Sequence, residues 1–116
     1  MTAALAQEAL KEILPEPSRV ATVEEIQHLV AAHFNIPEES MRLKRRTAEL
    51  ALPRQIAMYL SRELTPCSFP EIGGKFGGKD HTTIMHAHRK VALLLKKDQQ
   101  IKAYVDQVVK RFREGG

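Results

Sequence analysis

Two adjacent glycines, Gly77 and Gly78, stand between two stretches that each read as helix, and this limits the fold more than any other feature. Upstream, Ser68-Phe69-Pro70-Glu71 has the spacing of a capping box and starts a short helix that carries Ile72 and Phe76 inward and stops at the glycines. Downstream, Asp80 suits an N-cap, because its short side chain can accept hydrogen bonds from open first-turn amides. At about 100° per residue, Ile84, His88, Val91 and Leu95 then fall within roughly 60° of one another, a stripe for burial. Opposite lie Thr82, His86, Arg89 and Lys90, with Thr83 at the edge. A short helix, a glycine turn and a longer helix with a polar outer face make a helix-turn-helix unit.

Thr82 and Thr83 are β-branched and poor helix formers, so stability does not explain them. In a first turn their hydroxyls and methyls project outward. Two readings of this face follow from the pattern. It is the solvated side of an ordinary amphipathic helix, or it is a surface of donors, cations and methyls suited to base-pair edges and flanking phosphates in a DNA major groove.

The rest of the chain is helical in pattern, with no strand alternation, internal repeat or low-complexity segment. Thr2 to Leu14 is an alanine- and leucine-rich helix closed by Pro15 and Pro17. It reads either as the tail of a preceding domain and a linker helix or as a helix packed on this domain. Thr22-Val23-Glu24-Glu25 is a second capping box, leading into a face of Val23, Ile26, Val30 and Phe34. His28 and His33 read as surface or core-rim residues of that helix. A short helical turn is expected over Pro37–Met41, and a further helix starting near Pro53, a residue suited to a first turn. Its buried side is Ile56, Ala57, Tyr59, Leu60 and Leu64, and Thr65-Pro66 ends it. Asp98 caps a last helix with Ile101, Val105, Val108 and Phe112 on one side. The fold class is all-α, a helical bundle containing a helix-turn-helix with a long recognition helix and preceded by a linker helix. Residues 1–18 form the linker segment and 19–116 the helix-turn-helix domain.

Charge becomes informative once divided along the chain. Residues 1–41 hold 2 basic and 7 acidic residues, a net of −5, whereas 42–116 hold 16 basic and 7 acidic, a net of +9. The second part therefore suits a polyanion, either nucleic acid or an anionic membrane. Its densest run, Arg42-Leu43-Lys44-Arg45-Arg46-Thr47, is a solvated loop or a contact to phosphates or a minor groove, where narrow A·T tracts attract arginine. Arg54 and Gln55, at a helix start, can meet phosphates. The single cysteine, Cys67, cannot form an internal bridge. No apolar run would span a bilayer and no signal sequence is evident, so a cytoplasmic location is expected.

Two motifs with a chemical look are set aside. Residues 73–80 nearly fit the phosphate-binding loop G-x-x-x-x-G-K-[ST], but Asp80 stands where a hydroxyl must ligate magnesium, and no strand precedes the motif. Asp80, His81 and Thr82 cannot form a catalytic triad, because neighbours on a helix do not face one another. Zinc at His81, His86 and His88 fails because His81 and His86 diverge by about 140° and His88 lies about two turns from His81. No catalytic residues and no metal site are expected, and the chain reads as a non-enzyme.

The residues now laid out carry a resemblance. Pro53-Arg54-Gln55-Ile56-Ala57-Met58-Tyr59-Leu60, Ser68-Phe69-Pro70-Glu71-Ile72-Gly73 and above all Gly77-Gly78-Lys79-Asp80-His81-Thr82-Thr83 resemble the C-terminal DNA-binding domain of the bacterial replication initiator family DnaA, over roughly residues 20–112. The resemblance implies recognition of a short, asymmetric, A·T-rich box in double-stranded DNA at the replication origin by a single, monomeric domain. It implies that Asp80, His81 and Thr82 meet base edges, that Ala87 meets a thymine methyl, and that Arg46 enters the adjacent minor groove. Lys79, Thr83, His86, Arg54, Gln55 and Pro70 would line the phosphates, joined by Lys44 and Arg45 of the basic run and by Arg89 and Lys90 of the outer face. Residues 1–18 would be the end of an ATPase lid and its linker helix, with acidic phospholipids as a further partner near the linker. ATP and magnesium would be cofactors of the parent protein only. Lys79 stands where arginine is common, Ala48 where a basic residue is frequent, and Phe69 where leucine is usual. The alternatives to an initiator module are a helix-turn-helix transcriptional regulator or transposase-associated module, and an anionic-membrane or protein-interaction module.

Overall fold

The computed structural model describes residues 21–43 and 48–113. The linker helix expected over Thr2–Leu14, the domain boundary at residue 18, and Lys44, Arg45 and Arg46 of the basic run lie outside the described residues. Among the described residues there are five α-helices and one 3-10 turn, with no strand.

Helix α1, Val23–Phe34, begins with the expected capping box. The Thr22 hydroxyl accepts from the Glu25 amide at 3.1 Å, and the Thr22 amide donates to the Glu25 carboxylate at 3.0 Å. Asn35 ends it in the left-handed region, φ 59°, which asparagine tolerates better than most residues. The 3-10 turn Glu38–Arg42 follows where a short helical turn was expected.

Helix α2, Ala48–Leu64, starts five residues before Pro53, so the proline sits inside the helix and not in its first turn. The stretch Ala48-Glu49-Leu50-Ala51-Leu52 explains the difference. These are strong helix formers, and together they carry a turn across the one backbone hydrogen bond that Pro53 cannot donate. The other end falls at Thr65, as expected; there the Thr65 hydroxyl donates to the Ser61 carbonyl at 2.6 Å.

Helix α3, Phe69–Lys75, carries its capping box intact: the Ser68 amide donates to Glu71 Oε1 at 2.8 Å, and the Ser68 hydroxyl accepts from the Glu71 amide at 3.3 Å. The turn out of it depends on glycine at two places. Gly77 has φ 88°, and a Cβ there would collide with the Arg42 carbonyl. A Cβ on Gly73 would collide with the Lys79 carbonyl, on a backbone path where the Gly73 carbonyl accepts from the amides of Gly78 and Lys79 at 3.1 and 2.9 Å. Helix α4, His81–Lys97, follows, and α5, Gln99–Arg113, packs against it.

The core is a continuous cluster in which Ile26, Met41, Ile56, Leu60, Ile72, Phe76, Ile84 and Val91 are wholly buried. Helix α4 packs across α2 and α3, α1 packs on α2, and α5 covers α4 and α2. On α4 the buried side is Ile84, Ala87 and Val91. The expected stripe is thus rotated slightly toward Ala87, with Leu95 partly buried and His88 at the margin. His33 is exposed but stacks on Tyr104 of α5, ring centroids 3.8 Å apart. Burial around Tyr104 leaves its hydroxyl without a hydrogen-bond partner and pushes its pKa up to about 12.

Candidate nucleic-acid interface

The turn ending at Lys79 launches α4 so that its first residues stand clear of the protein. His81, Thr82 and Thr83 are exposed, and His86, Arg89 and Lys90 continue the exposed side. Asp80 does occupy the N-cap position, but its side chain makes no capping hydrogen bond. Its carboxylate is taken by its neighbours: the Thr82 hydroxyl donates to Oδ2 at 3.0 Å, and His81 Nδ1 lies 3.0 Å from Oδ1. The hydroxyl of Thr82, first among the causes, holds the Asp80 carboxyl below the ordinary aspartate range. Asp80 therefore presents an ionised acceptor at neutral pH, beside a hydroxyl and an imidazole, at an exposed helix tip.

Beside this tip an open groove of about 530 Å³ runs between α4 and the first half of α2. Arg54 and Gln55 stand on one wall, Lys79, Asp80, Thr83, His86 and Lys90 on the other, and Ala51, Met58, Gly78 and Ala87 complete its lining. Residues far apart in the chain thus form one basic, concave surface. Six of the residues expected at phosphates line it. Pro70 and Arg89 are exposed outside it, Pro70 in the first turn of α3.

Three positions are more tied into the protein than a surface contact requires. Arg54 is only 6% exposed, its Nε donates to the Ser40 carbonyl at 2.8 Å, and its pKa is lowered by burial. It therefore reaches the groove as part of its wall, while anchoring the 3-10 turn to α2. Lys79 Nζ donates to the carbonyls of Leu43 and Phe76 at 3.1 and 3.0 Å. Ala87 is 5% exposed and shows the groove little more than a methyl. The expected buried position His88 turns away from the groove: its ring stacks on Tyr59, and Nε2 lies 2.8 Å from the Glu63 carboxylate.

Sequence reasoning missed Gln27. It is wholly buried on α1 and bonded at both ends of its amide. The signal was present, since 27 lies four residues after Val23 and three before Val30 and so falls on the apolar face. A polar residue at a core position is the informative kind of exception.

A short helix, a glycine turn and a long helix with its N-terminal face exposed beside a basic groove define a helix-turn-helix DNA-binding domain. A comparison with known families agrees: the model of the bacterial dnaA protein helix-turn-helix matches residues 23–91, more than half of the 116 residues. The chain belongs to that family, and its partner is double-stranded DNA in the initiation of replication. The matched unit is a DNA-binding domain and not a catalytic one. Among the described residues no helix is long and apolar enough to cross a membrane.

Proposed function

We propose that the domain recognises a short, asymmetric, A·T-rich box at a replication origin, binding as a monomer. Asp80, His81 and Thr82 meet base edges in the major groove, and Ala87, on the groove lining, takes a thymine methyl. Lys79, Thr83, His86 and Lys90 take phosphates along one side of the groove and Arg54 and Gln55 along the other, with Pro70, Arg89, Lys44 and Arg45 at the periphery. Arg46 enters the neighbouring minor groove. The single observation that supports this most is the groove between α2 and α4, where basic and hydroxyl side chains from opposite parts of the chain line one surface next to an exposed helix tip. Phosphate contacts there give affinity and register, and the tip gives sequence.

The domain works in the bacterial cytoplasm on nucleoid DNA and needs no cofactor of its own; ATP and magnesium belong to the ATPase module of a parent initiator. Residues 1–18 belong to that parent's lid and linker and meet acidic phospholipid. Fluorescence anisotropy with an A·T-rich initiator box and a scrambled duplex, at two salt concentrations, tests the DNA reading. The box is expected to bind at least about 10³-fold more tightly than the scrambled duplex. Equal affinity for both would remove the claim of box recognition.

A further inference from the structure

Met85 is 37% exposed, an apolar side chain on the outer side of α4 that the packing of the core does not call for. It stands three residues after Thr82 and four after His81, so it lies one turn further along the helix, in a direction between those two. Two flanks bound this side of α4. One is the groove shared with α2, whose α4 wall is Asp80, Thr83, His86, Ala87 and Lys90. The other is the first turn of α3, where Phe69 meets the His88 ring edge-on, centroids 6.0 Å apart, and Pro70 is exposed. At about 100° per residue, Met85 falls between the two flanks and points roughly 160° away from Ala87. With phosphates held along the groove and at Pro70, the interval between them is where base edges lie in a major groove.

The residue type narrows what Met85 can meet there. Lysine, glutamine and glutamate form helix as readily as methionine, so helix stability does not require an apolar side chain at this exposed position. A thioether carries no charge and donates no hydrogen bond, so it offers nothing to a phosphate. The apolar feature on the edge of a base pair in the major groove is the C5-methyl of thymine. Three rotatable bonds and a polarisable sulfur let methionine follow such a methyl closely. We propose that Met85 is a further specificity-determining residue, whose side chain packs on the C5-methyl of a thymine other than the one taken by Ala87. The proposal rests on the reading that the tip of α4 meets base edges in a major groove. Thr82 and His81 then read polar edges while Met85, one turn on, reads a methyl beside them.

The test uses the whole chain and a set of box duplexes in which each thymine in turn is replaced by deoxyuridine, a change that removes one methyl and keeps every hydrogen-bonding group. Binding is read by fluorescence anisotropy. For the unaltered protein, at least one replacement is expected to weaken binding about fourfold, the worth of one methyl taken out of water. Met85→Ala should bind the unmodified box about fourfold less tightly and show no further loss at that thymine, while its responses at other thymines persist. Met85→Leu, which keeps an apolar side chain of similar size, should restore the lost response. Both variants should melt with the unaltered protein, because the position is exposed. If Met85→Ala responds to every replacement as the parent does, or weakens box and scrambled duplex alike, Met85 reads no base and the proposal fails while box recognition stands. If the unaltered protein binds box and scrambled duplex equally, the box reading falls and takes this proposal with it.

Discussion

Asp80 and Asp98 both open a helix, and only one of them caps it. At the start of α5, Asp98 Oδ1 accepts from the amides of Gln100 and Ile101 at 3.0 and 3.1 Å. At the start of α4, the Asp80 carboxylate turns to the Thr82 hydroxyl and the His81 ring and leaves the first-turn amides without a side-chain cap. Thr22 and Ser68 behave like Asp98, each closing its helix with a full capping box. The difference separates scaffold from reading surface. A helix that only supports the fold satisfies its own amides, whereas α4 is held in place from behind, by the glycine turn and Lys79, with its tip turned outward. Such a tip costs some stability and leaves amides and a helix dipole facing an anionic partner.

Gly77→Ala should have the largest effect, because it attacks the support of the uncapped tip. It places a Cβ against the Arg42 carbonyl at φ 88°, and a loss of about 2–3 kcal/mol in urea unfolding is expected. An unchanged midpoint would mean that the turn does not hold α4. For Thr82→Ala the expected cost is about 1–3 kcal/mol of discrimination between box and scrambled duplex, with stability unchanged. Equal loss on both duplexes would take Thr82 out of base reading. Lys79→Ala should weaken every duplex alike and reduce the salt slope by about one, measured by titration at several ionic strengths.

The pair itself is compared directly by Asp98→Ala and Asp80→Ala. Losing the cap at Asp98 should cost about 1 kcal/mol of stability, and losing Asp80 clearly less while impairing box binding. Matching losses in thermal melts would erase the distinction. The smallest effect is a pH dependence at the capped end of α3. Bonds from Ser68 hold the Glu71 carboxyl below its ordinary value of 4.5. A depressed folded pKa means the contribution is present above the unfolded pKa and is lost as pH falls through the folded one. Stability should therefore fall as pH drops below about 4.5, and Glu71→Gln, which keeps a capping side chain but cannot titrate, should flatten that fall.

Much of this could be read from the chain. The capping boxes at Thr22 and Ser68, the glycine turn and the exposed face of α4 are local matters, decided by residues within four or five positions of each other. Pro53 misled because a proline marks a first turn only when the residues before it are poor helix formers, and Ala48–Leu52 are not. Asp80 misled for a similar reason: the spacing that suits a cap also places Thr82 and His81 within reach of the same carboxylate.

The sequence by itself determined the helices, the break at Gly77-Gly78 and the polar character of the outer face of α4, because these follow from periodicity and from the backbone conformations each side chain permits. Only the tertiary structure decided that Arg54 is wall and anchor together, that Ala87 lies on the groove lining, and that Gln27 joins α1 to Arg42 and to the end of α3. Those facts depend on contacts between segments 14 to 48 residues apart. A hydrogen bond over that distance exists only once packing has brought its two ends together, and no local pattern encodes it.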